Sequence, residues 1–190
     1  MSAPEIVDAK VLRDATAAAA APPRADWRFM SGHPARWIAL GFGSGLAPMA
    51  PGTVGTLWAW AAFVLLDPWL GGGWRWGVVL LAALPIGTWA CARTARELAL
   101  ADPGAIVWDE VVAFWAVLWL VMPTGFVGQC IAFVLFRYFD AAKPGPVRWA
   151  DQRFKNASGW RQGWGILFDD LVAALGTLLV IALARFVWPP

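Results

Sequence analysis

Two adjacent acids, Asp109 and Glu110, stand inside AIVWDEVVAFWAVLWLVM, residues 105–122, whose other sixteen residues carry no charge. An unpaired carboxylate costs about 3 kcal/mol at the centre of a membrane helix, so the pair needs a reason to be there. A second pair, Asp169-Asp170, lies near the start of the apolar run ILFDDLVAALGTLLVIALARFVW, residues 166–188, and Asp140 lies in FRYFDAAKPGPVRWAD, residues 136–151. Carboxylates gathered in one place repel unless a cation or protons neutralise them. Hard divalent cations such as Mg²⁺ take oxygen ligands and are usually held by one or two carboxylates plus substrate phosphate. Asp109, Glu110, Asp140, Asp169 and Asp170 are accordingly the candidate catalytic and metal-ligating residues.

Candidate phosphate contacts lie close by in the chain. Arg137 and Lys143 flank Asp140 at i−3 and i+3, a spacing that puts all three on one helix face. Pro144 must end that helix, and Arg148 follows shortly. The segment GFGSGLAPMAPGTVGT, residues 41–56, holds five glycines with Ser44, Thr53 and Thr56 and leads into an apolar helix. Gly-rich backbone ahead of a helix N-terminus can offer N–H groups to an anion. It is not a Walker loop, because no GxxxxGK[ST] occurs.

Other phosphoryl chemistries lack their residues. His33 is the single histidine, and Cys91 has arginines at 93 and 96 rather than the spacing of a Cys-x5-Arg loop. Neither a DxDx(T/V) motif nor a Ser-His-Asp arrangement is present. Metal-assisted attack by water or by a carboxylate on a phosphoryl group remains. Cys91 and Cys130 read as buried small hydrophobes, and Asp67, Glu97, Asp102 and Asp151 as loop charges.

The elements that must position these residues are apolar helices. The chain has 190 residues, 59% hydrophobic and 15% charged, with 15 Trp and a mean hydropathy of +0.57. Soluble domains are nearer 45–50% apolar and about 25% charged. The composition is that of a membrane protein, and the Trp count suits a chain with several water–lipid interfaces. The expected fold is all-α, a membrane-embedded bundle of four to five apolar helices near 54–70, 76–92, 105–122, 126–139 and 166–188. The fourth block is short, so the third and fourth can instead form a re-entrant hairpin. Residues 1–30 read as a disordered cytoplasmic tail with no apolar signal-peptide core, and residues 31–190 as the helical membrane domain.

With five crossings, thirteen of the fifteen lysines and arginines fall on the side of the N-terminus, Arg75 and Arg185 being the exceptions. Positive charge marks that side as cytoplasmic. The five acids and the 41–56 segment come to the same face.

Four segments carry a resemblance. GFGSGLAPMAPGTVGT, IVWDEVVAFW, FRYFDAAKPGPVRWAD and GWGILFDDLVAAL resemble, in order, the motifs of the phosphatidylglycerophosphatase A family. The resemblance covers most of residues 41–176. It implies an all-helical Mg²⁺-dependent lipid phosphatase of the bacterial inner membrane, which removes the terminal phosphate of phosphatidylglycerophosphate to give phosphatidylglycerol. On this sequence the family's WDE acids fall on Asp109 and Glu110, its FRxFDxxKPxP on Arg137, Asp140 and Lys143, and its final acid pair on Asp169 and Asp170. One departure is QGWGI, with Gln162 where the family pattern has a glycine. Head-group selectivity and oligomeric state are left open. A cation transporter or channel, or a phosphatase of another lipid phosphate, is the alternative reading of the same acids.

Overall fold

The computed structural model describes residues 23–71 and 73–188, and all regular structure among them is helical. Most of the tail read over 1–30 lies outside the described residues. At its end, Asp26 accepts a hydrogen bond from Phe29 N at 2.7 Å and caps α1, Trp27–Ser31, whose Met30 is buried. The lone histidine is also a cap, since His33 Nδ1 accepts from Ala35 N at 3.0 Å at the start of α2, Pro34–Ala39. A 3-10 segment over Gly41–Leu46 then leads to α3, Pro51–Leu70, with Pro51 in the first turn, where a missing N–H costs nothing.

Four further long or medium helices and one short one complete the chain. These are α4, Trp74–Glu97; α5, Trp108–Val121; α6, Phe126–Ala142; α7, Pro146–Arg153; and α8, Trp160–Val187. The hub is α5, which packs against α3, α4, α6 and α8. It is apolar all round, and a helix of that kind must be covered on every side. Val111, Val112, Phe114, Val117 and Leu118 are buried in it. Phe114 packs on Phe136 of α6, and Trp115 donates to Ala59 O of α3 at 2.8 Å.

Three helices, α3, α4 and α8, are long and apolar enough to cross a membrane. The fourteen residues of α5 span only about 21 Å and the seventeen of α6 about 25 Å, against a hydrocarbon core of about 30 Å. The count of full-length spans is thus lower than the four to five apolar helices expected, although all five blocks are helical. Beyond its first turn the short α5 can be apolar on every side because other helices pack around it.

The tryptophans divide between core and rim. Trp76 is buried, stacked on Phe63 at 4.3 Å, and Trp108 and Trp115 are buried beside it. Trp69, Trp74 and Trp188 are exposed at one end of the bundle, and Trp27, Trp149 and Trp160 at the other. Two exposed sets near opposite helix ends match the aromatic belts of a membrane protein. Buried tryptophans account for part of the high Trp count that composition alone assigned to interfaces.

Candidate metal and phosphate site

The first turn of α5 carries Asp109 and Glu110, and α8 carries Asp169 and Asp170 in its N-terminal half. Packing of α5 on α8 brings Asp109, Glu110 and Asp170 together, with one oxygen of each within 4.8 Å of the others. Glu110 and Asp170 are buried and Asp109 half-buried. Asp109 Oδ1, Glu110 Oε2 and Asp170 Oδ2 are buried without a hydrogen-bond partner. At that separation two ionised carboxylates repel by roughly 3.5 kcal/mol at an effective dielectric constant of 20. Buried polar atoms are normally satisfied. Three clustered carboxylates, each with an unsatisfied buried oxygen, fit a cation of the hard, oxygen-seeking class. Acids favour a helix N-terminus for its dipole, but a solvated end does not explain a buried Glu110.

A guanidinium closes one side of this group. Arg137 Nη1 of α6 lies 3.5 Å from Glu110 Oε1, 2.5 Å from Asp140 Oδ2 and 3.4 Å from Thr56 Oγ1 of α3. Thr56 is buried and donates to Gly52 O at 2.8 Å. Gly52 is needed for the close approach of α3: a Cβ there would overlap Glu110 Oε1 and crowd Arg137. The Gly-rich segment therefore serves the site through its last residues, Gly52 and Thr56. Ser44 is buried and its hydroxyl donates to Gly41 O at 2.8 Å, closing the 3-10 turn. Thr53 is half-buried in the first turn of α3.

Lys143 departs from the helix face expected of it. It caps the C-terminus of α6 in the left-handed region, φ 43°, and so turns away from the Arg137–Asp140 row. Its ammonium donates to Asp151 Oδ1 of α7 at 2.5 Å and to Asp169 Oδ2 of α8 at 2.7 Å. Lys155 approaches the other Asp151 oxygen at 3.4 Å. Burial alone would lower the Lys143 pKa, but the hydrogen bonds to Asp151 and Asp169 hold it above the ordinary lysine value. Partial burial likewise works against ionised Asp151, and Lys143 and Lys155 outweigh it, keeping that carboxyl below the usual aspartate range.

The five candidate acids thus separate. Asp109, Glu110 and Asp170 form the group in which each acid keeps one buried oxygen without a partner; Asp140 belongs to Arg137; Asp169 belongs to Lys143. Arg148 is exposed on α7 and forms no ion pair among the described residues. Asp151 is not a loop charge but a member of α7 that holds Lys143. Asp67 and Glu97 also lie in helices, accepting from Trp76 Nε1 at 2.8 Å and pairing with Arg36 and Arg93 respectively. Beside Asp169 is a cavity of about 110 Å³ lined by Asp102, Asp151, Lys155 and Gln162. The only sequence sign of what Asp151 does was its place eight residues after Lys143, at the end of the resembling segment.

The QGWGI departure leaves the close contacts intact. Gly163 still meets the Thr88 carbonyl and Ala92 of α4, too tightly for a Cβ. Gln162 projects outward, donating to Leu100 O at 3.1 Å and Ala101 O at 2.9 Å, and ties α8 to the loop after α4.

The chain is similar to known proteins over most of its length. A protein of Escherichia coli described as phosphatidylglycerophosphatase A is 34% identical over 164 residues, 85% of this chain and 90% of that protein. One of the same description from Haemophilus influenzae is 36% identical over 162 residues, 78% of this chain and 87% of its own length. A Bacteroides thetaiotaomicron protein provisionally named a phosphatidylinositol-3-phosphatase is 36% identical over 156 residues, 79% of this chain and 92% of that protein. No solved structure matches. The family model described as phosphatidylglycerophosphatase A matches residues 37–185, and with these relatives it shows that the chain belongs to the phosphatidylglycerophosphatase A family.

Proposed function

We propose that this membrane protein is a phosphatidylglycerophosphatase: it hydrolyses the terminal phosphomonoester of phosphatidylglycerophosphate with water, releasing phosphatidylglycerol and inorganic phosphate. The observation that carries this reading is the group of three buried, partnerless carboxylate oxygens on Asp109, Glu110 and Asp170, with a guanidinium beside it. Those three residues would hold Mg²⁺. A divalent cation there supplies positive charge that polarises a phosphoryl oxygen and helps water to act as nucleophile. Arg137 offers a fixed positive charge to the phosphate as its charge shifts in the transition state. Asp140 orients Arg137 from one turn along α6. Asp169 holds the Lys143 ammonium, which with Arg137 would offer positive charge to the phosphate. Arg148, exposed on α7, is placed to meet a head group arriving from outside the bundle, and Thr53 lies in the first turn of α3, near Gly52 and the site.

The acids lie at one end of the helices. A lipid can therefore keep its chains in the bilayer while its head group reaches the site. Among the described residues, Arg75 donates to Leu70 O and Arg185 to Val121 O at the opposite end of the bundle, while Arg137 and Lys143 meet the acids and Arg93 and Arg96 lie in the last turns of α4. That asymmetry supports a bacterial inner-membrane protein whose site faces the cytoplasm.

The test is phosphate release from phosphatidylglycerophosphate by the protein in detergent, with Mg²⁺ and with EDTA. Mg²⁺-dependent release by the wild type and its loss in folded Asp170→Asn are expected; EDTA-insensitive release would refute the metal role. The phosphatidylinositol-3-phosphatase name of one relative favours a second substrate, so phosphatidylinositol 3-phosphate belongs in the same assay.

A further inference from the structure

We propose that Asp151 is a positioning residue for the phosphatase reaction: it anchors the Lys143 ammonium against Asp169, one residue from the partnerless acid Asp170. The inference rests on the phosphatase reading above and adds a residue that the motif acids do not include. Three elements meet at Lys143. Its backbone ends α6, one N–H goes to Asp151 on α7, and a second goes to Asp169 on α8. The left-handed backbone at Lys143 and the proline that follows remove the lysine from the α6 face, so helix geometry does not aim the side chain. The two carboxylates do. Asp169 alone leaves a flexible four-carbon stem with one anchor; Asp151 supplies the second and fixes the direction of the remaining N–H. Asp151 also has its own counter-charge in Lys155 at 3.4 Å, an exposed residue on the second carboxylate oxygen.

A simple tie between α7 and α8 predicts something different. It would act through stability, and would be weakened from the Lys155 side as well as the Lys143 side. A positioning residue acts only through Lys143. Groups supporting a metal or phosphate site typically cost 10–100-fold in activity when removed, and residues acting through one another are not additive.

The experiment uses the full chain in detergent with phosphatidylglycerophosphate and Mg²⁺, comparing wild type, Asp151→Asn, Lys143→Met, the double variant and Lys155→Met, with a melting temperature for each. Asp151→Asn is expected to lower kcat by at least about tenfold while KM and the Mg²⁺ half-saturation stay within about twofold. The double variant is expected to be no slower than Lys143→Met alone, and Lys155→Met to keep wild-type kcat. A folded Asp151→Asn with wild-type kcat, or a double variant in which the two losses multiply, overturns the proposal. If the Asn variant fails to fold, Asp151→Glu decides: recovery of at least about a third of wild-type kcat supports positioning by charge, and a folded Glu variant as slow as Lys143→Met overturns it. An inactive wild type would instead refute the phosphatase reading itself, which keeps the two failures apart.

Discussion

Arg137 of α6 reaches Glu110 of α5 at 3.5 Å while the same nitrogen holds Asp140 one turn along its own helix. One guanidinium thus joins the partnerless acids to the helix that delivers the basic residues. Its planar head also meets Thr56 of α3, so it spans three helices at once.

Removing that group should therefore disable chemistry more than folding. Arg137→Gln is expected to lower kcat/KM by about 10²–10³, the usual effect of deleting a preorganised donor. Arg137→Lys should not restore it, because Nη1 makes all three contacts from the end of a rigid planar head, and a lysine ammonium is a point charge on a flexible stem that nothing holds among Glu110, Asp140 and Thr56. Steady-state kinetics of both variants check this, and wild-type activity in the lysine variant would contradict it.

The cation should stabilise the fold through the three acids. A ligand at about 100 times its Kd adds about 2.7 kcal/mol to a protein that binds it only when folded. Saturating Mg²⁺ is expected to raise the melting temperature of the wild type and to leave Asp170→Asn unmoved. An equal rise in both would place the cation elsewhere.

Gly52 and Ser44 belong to one Gly-rich segment, yet should respond differently. Gly52→Ala puts a Cβ into Glu110 Oε1, so either α3 or the glutamate must shift, and activity should fall sharply in a protein that still melts cooperatively. Ser44→Ala removes one buried hydrogen bond to Gly41 O, worth about 1 kcal/mol, and should lower stability with little change in kcat. Comparing the two melting curves with the two activities tests the assignment, and a Ser44→Ala variant that stays stable but loses kcat would put the hydroxyl on the substrate.

The Lys143–Asp151 pair sets a pH window. Asp151 has its pKa lowered in the folded state, so its contribution is present above the unfolded value near 4 and is lost as pH falls through the folded value. Lys143 has its pKa raised, so its contribution is complete below the unfolded value near 10.4 and is lost as pH rises through the folded one. The melting-temperature gap between wild type and Asp151→Asn is expected to be level from about pH 5 to pH 9 and to shrink below about pH 4. A gap that grows toward acid pH would reverse the sign and exclude the pairing.

Much of this protein was legible from local patterns. Apolar runs of helical length, the crowding of basic residues on one side, and the acids beside glycine and proline breaks are written in neighbouring residues. They pointed to an all-α membrane protein and to acids near one end of its helices. Arg137 and Asp140 were readable as a pair because three residues along a helix bring side chains to one face. What local spacing could not say was which acid faces which partner. Asp169 and Asp170 are adjacent in the chain but about 100° apart around α8, so one turns to Lys143 and the other to Asp109 and Glu110. Lys143 left its helix face because one backbone residue adopted a left-handed conformation, and Asp151 became its anchor only when α7 folded back onto α8. Sequence determined the charges and the helices that carry them; the packing of α5, α6, α7 and α8 decided how those charges pair, because pairing depends on the directions side chains take across helices distant in the chain.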